Sequence, residues 1–508
     1  MRRYNELVCP PAGRLAPSAT REPAVEPSIF LAFNLPNAAT WFYFSLLLTV
    51  ALFFHFVRPF STRNLDLLTL FLLVPGFLLL QEVQALRAVA AVEEAPGVAA
   101  LPELASRGWQ AAVAAPEFVD LGVRATEALV RAEALRARAD REQLAAYVWL
   151  VVGSAYWFGR ALVDLALVRR PPVSPNLTNA GMMWLGLTLF ACMVAVAVQR
   201  TGEPLVRADV GGRPIPISQV EDGAVAVVRQ AQTGQATSAE LRFWVDRALA
   251  LACHAAVVVG LVMIGLRHFQ DTACGVGLGT LYLLVPYTAF HVAQFHLVWP
   301  AAFVTWAVFA YRRPALSGWL LGLAAGSAFV PLFLFPLWAG FYAGRGLGRF
   351  TGWFLAALGL SLGITVAVLW WLGTGLSWVE MSNWLPWRRP TSESLWTGVH
   401  GAYRLPIFVV YVGFVIAVAF WPSPKTLSHL VALSAAVLLG MQFWHADRGG
   451  VYVLWYLPLI LLMVFRPNLA GLAPPVVEPG SGLFAWAGAA WRRVRSGRAA
   501  GETKELAV

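Results

Sequence analysis

Charge is what this sequence has least of. Asp, Glu, Lys and Arg together make up 13% of its 508 residues, against about 25% in soluble globular domains, and a fold with a fully solvated surface is excluded. Lysine is nearly missing: Lys425 and Lys504 are the only two, so the basic side of the balance is arginine. That bias, beside abundant Ala, Gly and Pro, points to a GC-rich bacterial genome and to the inner (cytoplasmic) membrane of a cell envelope. Cysteine is scarce as well. Cys192, Cys253 and Cys274 fall in apolar runs and Cys9 stands alone near the start, which gives neither a disulfide framework nor a zinc spacing. No apolar region precedes Cys9, and the first apolar run lacks a small-residue cleavage site, so that run reads as an anchor and not as a signal peptide. The excess of 38 Lys+Arg over 28 Asp+Glu calls for no nucleic acid, because basic residues beside membrane spans fix topology and meet anionic head groups. Membrane lipids are the expected partner.

What the chain has is apolar length. Runs such as 39–57 and 355–373 are long enough, at 1.5 Å per residue, to cross a hydrocarbon core of about 30 Å. Spans are predicted at 39–57, 65–81, 145–167, 180–198, 247–266, 274–290, 295–311, 351–373, 405–421, 427–444 and 451–465. Between the seventh and eighth, the stretch 316–342 is apolar but broken by Pro331 and Pro336, with Arg312 and Arg313 before it and Arg345 and Arg349 after it. Because positive residues favour the cytoplasm, it reads as a hairpin of two short helices returning to its starting side. The expected fold is therefore an all-α polytopic transmembrane helical bundle of about 13 membrane helices.

Orientation follows from the short connections. Arg58, Arg63, Arg169, Arg170, Arg267, Arg312, Arg313, Arg345, Arg349, Lys425, Arg492, Arg493 and Arg495 all fall on one face, which is expected to be cytoplasmic. The opposite face receives the tail 1–38 and the loops 82–144, 199–246 and 374–404. One observation runs the other way: loop 82–144 holds Arg107, Arg124, Arg131, Arg136, Arg138 and Arg141, although long loops translocate largely regardless of charge. In that loop Leu121, Ala125, Ala128, Ala132 and Leu135 recur at helical period, which predicts an amphipathic helix on the membrane surface. The expected organisation is a tail 1–38, membrane helices 39–179, a core 180–466 and a poorly ordered basic tail 467–508, cytoplasmic on this topology.

Several residue groups could carry chemistry. Arg160 and Asp164 are four apart inside the third span, hence on one face, where each neutralises the other. A structural pair is the preferred reading and an ion pathway the other. The loop 199–246 gathers Glu203, Asp209, Glu221, Asp222 and Glu240 beside a span, where a carboxylate can serve as general base toward a hydroxyl; solvated loop charges are the plainer reading. From 378 to 404, Trp378, Trp384, Trp387 and Trp396 interleave with Arg388, Arg389, His400 and Arg404, a pattern that suits a sugar phosphate or an interfacial belt. His445, Asp447 and Arg448 before Gly449 and Gly450 are too few for a metal site and read as a turn. No metal and no cofactor is expected.

The residues Val285-Pro286, Ala293-Gln294-Phe295-His296, Tyr311-Arg312-Arg313-Pro314, Gly318, Gly322-Leu323-Ala324-Ala325, Pro331-Leu332 and Pro336-Leu337 resemble the core of the bacterial C-type membrane glycosyltransferases, over residues 180–466. The resemblance implies a GT-C-like fold and transfer of a sugar from a polyprenyl-phosphate donor to a lipid or glycan acceptor of the envelope. It implies further that the first outer loop, 199–246, carries the catalytic acid: Glu221-Asp222-Gly223 is similar to the family's acidic segment, with Asp222 the first choice and Asp209 the reserve. Gln294, His296, Arg388, Arg389, His400 and Arg404 are then expected to bind substrate. The chain departs from the family in carrying His296 where Asn is common, and Ala328 near the place of a hairpin lysine. The alternative is a transporter or lipid-handling membrane protein without covalent chemistry.

Overall fold

The computed structural model describes residues 38–112, 116–167, 175–199, 223–230, 238–290, 292, 294–371, 395–396, 399–445, 452–469 and 471–475. They belong to one compact unit, Pro36–Val508; a second unit, Met1–Leu35, lies outside the described residues. Among the described residues every regular element is helical, as a bilayer demands of a chain that must bond each backbone N–H within its own segment. The helices are α1 (Ala38–Phe53), α2 (Thr62–Thr69), α3 (Val74–Ala112), α4 (Pro116–Val163), α5 (Asn179–Gln199), α6 (Ser238–Ile264), α7 (Thr272–Leu284), α8 (Pro286–Phe290), α9 (Phe295–Phe309), α10 (Pro314–Ser327), α11 (Phe335–Phe341), α12 (Leu347–Trp371), α13 (Leu405–Phe420), α14 (Leu427–Trp444) and α15 (Val453–Phe465), with a further turn of helix over 223–230.

Among the described residues seven helical stretches are long and apolar enough to cross a membrane: Thr62–Ala95, Gly122–Ala166, Asn179–Val198, Leu241–Phe269, Leu347–Val368, Gly401–Phe420 and Leu427–Trp444. The chain is a multi-pass helical membrane protein. These seven coincide with seven of the thirteen spans expected from the sequence. The other six fall on shorter helices such as α7 and α15, 13 residues each, whose length of about 20 Å is less than a hydrocarbon core.

The arginine-bearing turns gather at one end of the bundle, here the basic end. There Arg63 donates to Phe53 O, His268 meets Phe309 O at 2.7 Å, Tyr342 Oη donates to Tyr311 O at 2.7 Å and Arg345 donates to Pro474 O. Lys425 Nζ donates to Ala419 O at 2.8 Å, and burial lowers its ammonium from the ordinary lysine range. The chain after Pro467, expected to be poorly ordered, is held at this end as far as it is described: Leu469 is buried and Leu472 O accepts from Leu427 N at 2.8 Å. Residues 476–508 lie outside the described residues.

The proline-broken stretch returns to where it started. It runs as α10, a 3₁₀ turn over Val330–Leu334 and α11, and the Tyr342–Tyr311 hydrogen bond joins its two ends. Helix α12 then runs parallel to α10: Gly318, Gly322 and Gly326 lie against Phe350, Phe354 and Ser361 in that order. A side chain at Gly318 or Gly322 would overlap the carbonyl oxygens of Phe350 and Phe354, so small residues set this close approach. Gly318→Val is expected to cost about 1–3 kcal/mol by overpacking, read as a fall in thermal midpoint in detergent, while Gly359→Ala, with open space around it, is expected to change nothing. Cysteines placed at the exposed positions Arg313 and Ala343 are expected to react with an impermeant maleimide from one side of the membrane, and a cysteine at Val399 from the other. Labelling of 313 and 343 from opposite sides would sink the hairpin.

The segment 82–144 differs most from expectation. It is not a loop with a helix lying on the membrane; α3, of 39 residues, and α4, of 48, are packed against each other along this stretch. Arg87 pairs with Asp140 at 3.0 Å, Glu94 with Arg136 and Glu93 with Arg131 at 3.7 Å; residue 87 meets 140 whereas 93 and 94 meet the lower numbers 131 and 136, so the pair is antiparallel. The alanine stripe is buried in that pairing: Ala125, Ala128, Ala132 and Ala139 are all at most 5% exposed, and Val83, Leu86 and Ala90 are buried with them. Its apolar face is covered by protein. At about 58 and 72 Å the two helices are far longer than a bilayer core is thick, so they form an arm standing beyond it. Segment 82–144 carries ten acids beside seven bases.

Candidate functional site

Two polar constellations stand out, one at each end of the bundle. At the basic end the predicted pair Arg160 and Asp164 proves to be half of a four-membered ladder. Arg160 grips Asp66 of α2 with two parallel bonds, Nε to Oδ1 at 2.7 Å and Nη2 to Oδ2 at 2.6 Å, and reaches Asp164 Oδ1 with Nη1 at 3.0 Å. Asp164 in turn accepts from Arg466 Nε at 2.7 Å, while Arg466 Nη2 closes on the carbonyls of Asp164 and Leu167 at 3.0 and 3.1 Å. Asp164 is fully buried and Arg466 is 4% exposed. Burial, and next Arg160, push the Arg466 guanidinium down to about 10, which leaves it charged near neutrality, so two acids and two bases cancel. Every charge is spent on a protein partner. Sequence reasoning missed Asp66 and Arg466 because each lies at the end of an apolar run, where a charge reads as an interfacial marker.

The other end holds the residues that the resemblance singles out. Gln294 precedes α9 and His296 lies in its first turn. His400 opens the 3₁₀ turn Gly401–Arg404, its Nδ1 accepting from Ala402 N at 3.3 Å; in the neutral ring the proton is then on Nε2, the exposed nitrogen. Arg404 follows at the start of α13. Trp396 Nε1 donates to Phe443 O at 3.1 Å, tying this segment to the end of α14. Ring contacts continue from Trp444 to His445, then to Tyr452 and on to Trp455. The tip of the proline-broken hairpin joins them, since Phe333 packs on Tyr411 and Trp444. Helices α6, α9, α13 and α15 all begin at this end, which sets their positive dipole ends toward it.

Residues 223–230 reach the same end. Gly223, the last residue of Glu221-Asp222-Gly223, stands against Val368 of α12, three residues before that helix finishes, and Val225 is buried. Asp222, Asp209, Arg388, Arg389, Asp447 and Arg448 themselves lie outside the described residues. Asp246 and Arg247, in the third turn of α6, are each 7% exposed; Arg247 donates to Ala197 O at 2.5 Å and lies over the Phe243 ring. The sequence reading placed both at a span boundary and passed over them. Among the described residues no three His, Cys, Asp or Glu side chains gather in a way that would hold a metal ion. Comparison of the chain with family models, with curated proteins and with solved structures finds no match.

Proposed function

We propose that the chain is an integral membrane glycosyltransferase of the cell envelope, moving a sugar from a polyprenyl-phosphate donor to a lipid or glycan acceptor at the end opposite the arginine turns. The observation that supports it is the position of Gly223, the residue after Asp222 in the chain, against the last turns of α12, at the end of the bundle where α9 and the turn Gly401–Arg404 begin. In the proposed step the Asp222 carboxylate takes the proton from an acceptor hydroxyl as its oxygen bonds to the anomeric carbon. The bond from that carbon to the phosphate oxygen breaks, polyprenyl phosphate leaves, and the configuration inverts. Arg388, Arg389 and Arg404 neutralise the charge that grows on the departing phosphate, an interaction stronger in the transition state than before it.

The saturated ladder weighs against the carrier alternative, because a working ion pathway needs a site that exchanges partners, and Arg160 and Asp164 are bound on every side by protein. Membrane vesicles supplied with labelled polyprenyl-phosphate sugars test the reading: label is expected to pass to an endogenous lipid or glycan. No transfer from any of several donor sugars would overturn it.

A further inference from the structure

Buried polar groups without a protein partner collect near the end opposite the arginine turns. Gln442, in the last turn of α14, is 3% exposed, and among the described residues neither the oxygen nor the nitrogen of its amide meets a hydrogen-bond partner. The indole nitrogens of Trp455, Trp444 and Trp299 are in the same condition. Native proteins leave few such groups, and Leu or Met would fill the volume of Gln442 without desolvating an amide. His445 follows directly after α14, three residues beyond Gln442. The His445 ring stacks over Tyr452, centroids 6.3 Å apart and planes 16° apart, and Tyr452 lies 4.4 Å from the Trp455 ring. Gln442, in the last turn of α14, and Trp455, in the first turn of α15, lie at the adjoining ends of two helices packed on each other. Trp299 comes from the second turn of α9, a helix that packs along α15 from the same end. Trp444 closes the other flank with Phe408 and Tyr411.

We propose that Gln442 and the Trp455 indole form the subsite that holds the sugar of the lipid-linked donor by its hydroxyl groups, separate from the arginines that meet its phosphate. The inference rests on the glycosyltransferase reading. An amide offers an acceptor and two donor hydrogens side by side, the complement of two neighbouring hydroxyls, each of which both donates and accepts. The indole N–H adds a donor, and the rings of Tyr452 and Trp455 supply apolar faces for the C–H side of a pyranose. A phosphate is the wrong chemistry for this wall: it offers acceptors only and would leave the Gln442 oxygen unpaired, and Gln442, Trp455 and Trp299 carry no charge to balance it.

The test measures binding of a labelled polyprenyl-phosphate hexose and of bare polyprenyl phosphate to the full chain in nanodiscs, in the wild type and in Gln442→Leu and Gln442→Met. Wild type is expected to prefer the sugar-bearing lipid, and both variants to lose about tenfold of that preference, the worth of one to two hydrogen bonds, with the affinity for bare polyprenyl phosphate unchanged. The thermal midpoint of the ligand-free variants is expected to equal or exceed that of wild type. An equal loss for both lipids, or a lowered ligand-free midpoint in both variants, would assign the amide to phosphate binding or to packing and overturn the subsite. Equal wild-type affinity for the two lipids would overturn it while leaving the enzyme reading in place, whereas wild-type binding of neither lipid would bring down the enzyme reading itself.

Discussion

Replacing Arg160 together with Asp66 by leucine is expected to leave the folded yield near that of wild type, whereas replacing Arg160 together with Asp164 is expected to remove most of it. The contrast comes from the wiring of the ladder. Asp66 answers only to Arg160 among the described residues, so taking both away leaves Asp164 and Arg466 still paired. Taking Arg160 and Asp164 instead strands a carboxylate on α2 and a guanidinium after α15, both buried. Breaking a buried pair costs about 3–5 kcal/mol, while exchanging a whole pair for apolar side chains is often neutral. Sequence alone suggests that Arg160 and Asp164 can be removed as a unit; the four-membered arrangement makes that the damaging double. Yield after size-exclusion chromatography and the thermal midpoint in detergent decide it, with the replacement of all four members by apolar residues expected to recover what the damaging double loses. Equal behaviour of the two doubles would remove the ladder from any account of stability.

Asp222→Asn is expected to lower sugar transfer by about 100- to 10,000-fold, the usual cost of losing a general base. Asparagine keeps the size and most of the hydrogen bonding of aspartate and accepts no proton at neutral pH, so a fall of that size with normal yield isolates the proton transfer from folding. Asp209→Asn is expected to cost far less. Both variants are assayed in vesicles with the same labelled donor, beside wild type, over a single turnover so that product release does not mask the chemical step. Unchanged transfer by Asp222→Asn would take that residue out of the mechanism, and a large loss in Asp209→Asn alone would move the base to the reserve position.

How much of this was legible in the sequence depends on what each signal measures. Long apolar runs such as 180–198 and 427–444 became α5 and α14 with little change of boundary, because a bilayer leaves an apolar segment of that length one regular conformation. The return of the proline-broken stretch was legible from four arginines and is seen in the Tyr342–Tyr311 bond. The arm was not legible. Periodicity reports that a helix has an apolar face and is silent about what covers it; here the clue was side-chain size, since Ala125, Ala128 and Ala132 permit close approach of another helix but offer little to a lipid surface, which takes Leu, Phe or Trp. The ladder was half legible, since spacing of four finds partners within a helix while Asp66 and Arg466 are 94 and 302 residues from theirs. For the candidate site, the sequence assigned His400 and Arg404 to one side from topology and took His296 from the resemblance, but Gln442 reads as an ordinary residue of an apolar run until its amide is seen to have no partner among the described residues.

Helix α4 has a mechanical consequence. It carries no proline after its first residue, so its 48 residues make a rod of about 72 Å. Pairing with α3 stiffens the half that forms the arm, and Arg160, at the other extreme, is bolted to α2 and, through Asp164, to the segment after α15. A push or twist applied at the outer tip therefore has no joint at which to dissipate and arrives at the basic end as torque on the ladder. Whatever the tip of the arm leans against bears, through one lever, on the ladder at the other end of the bundle.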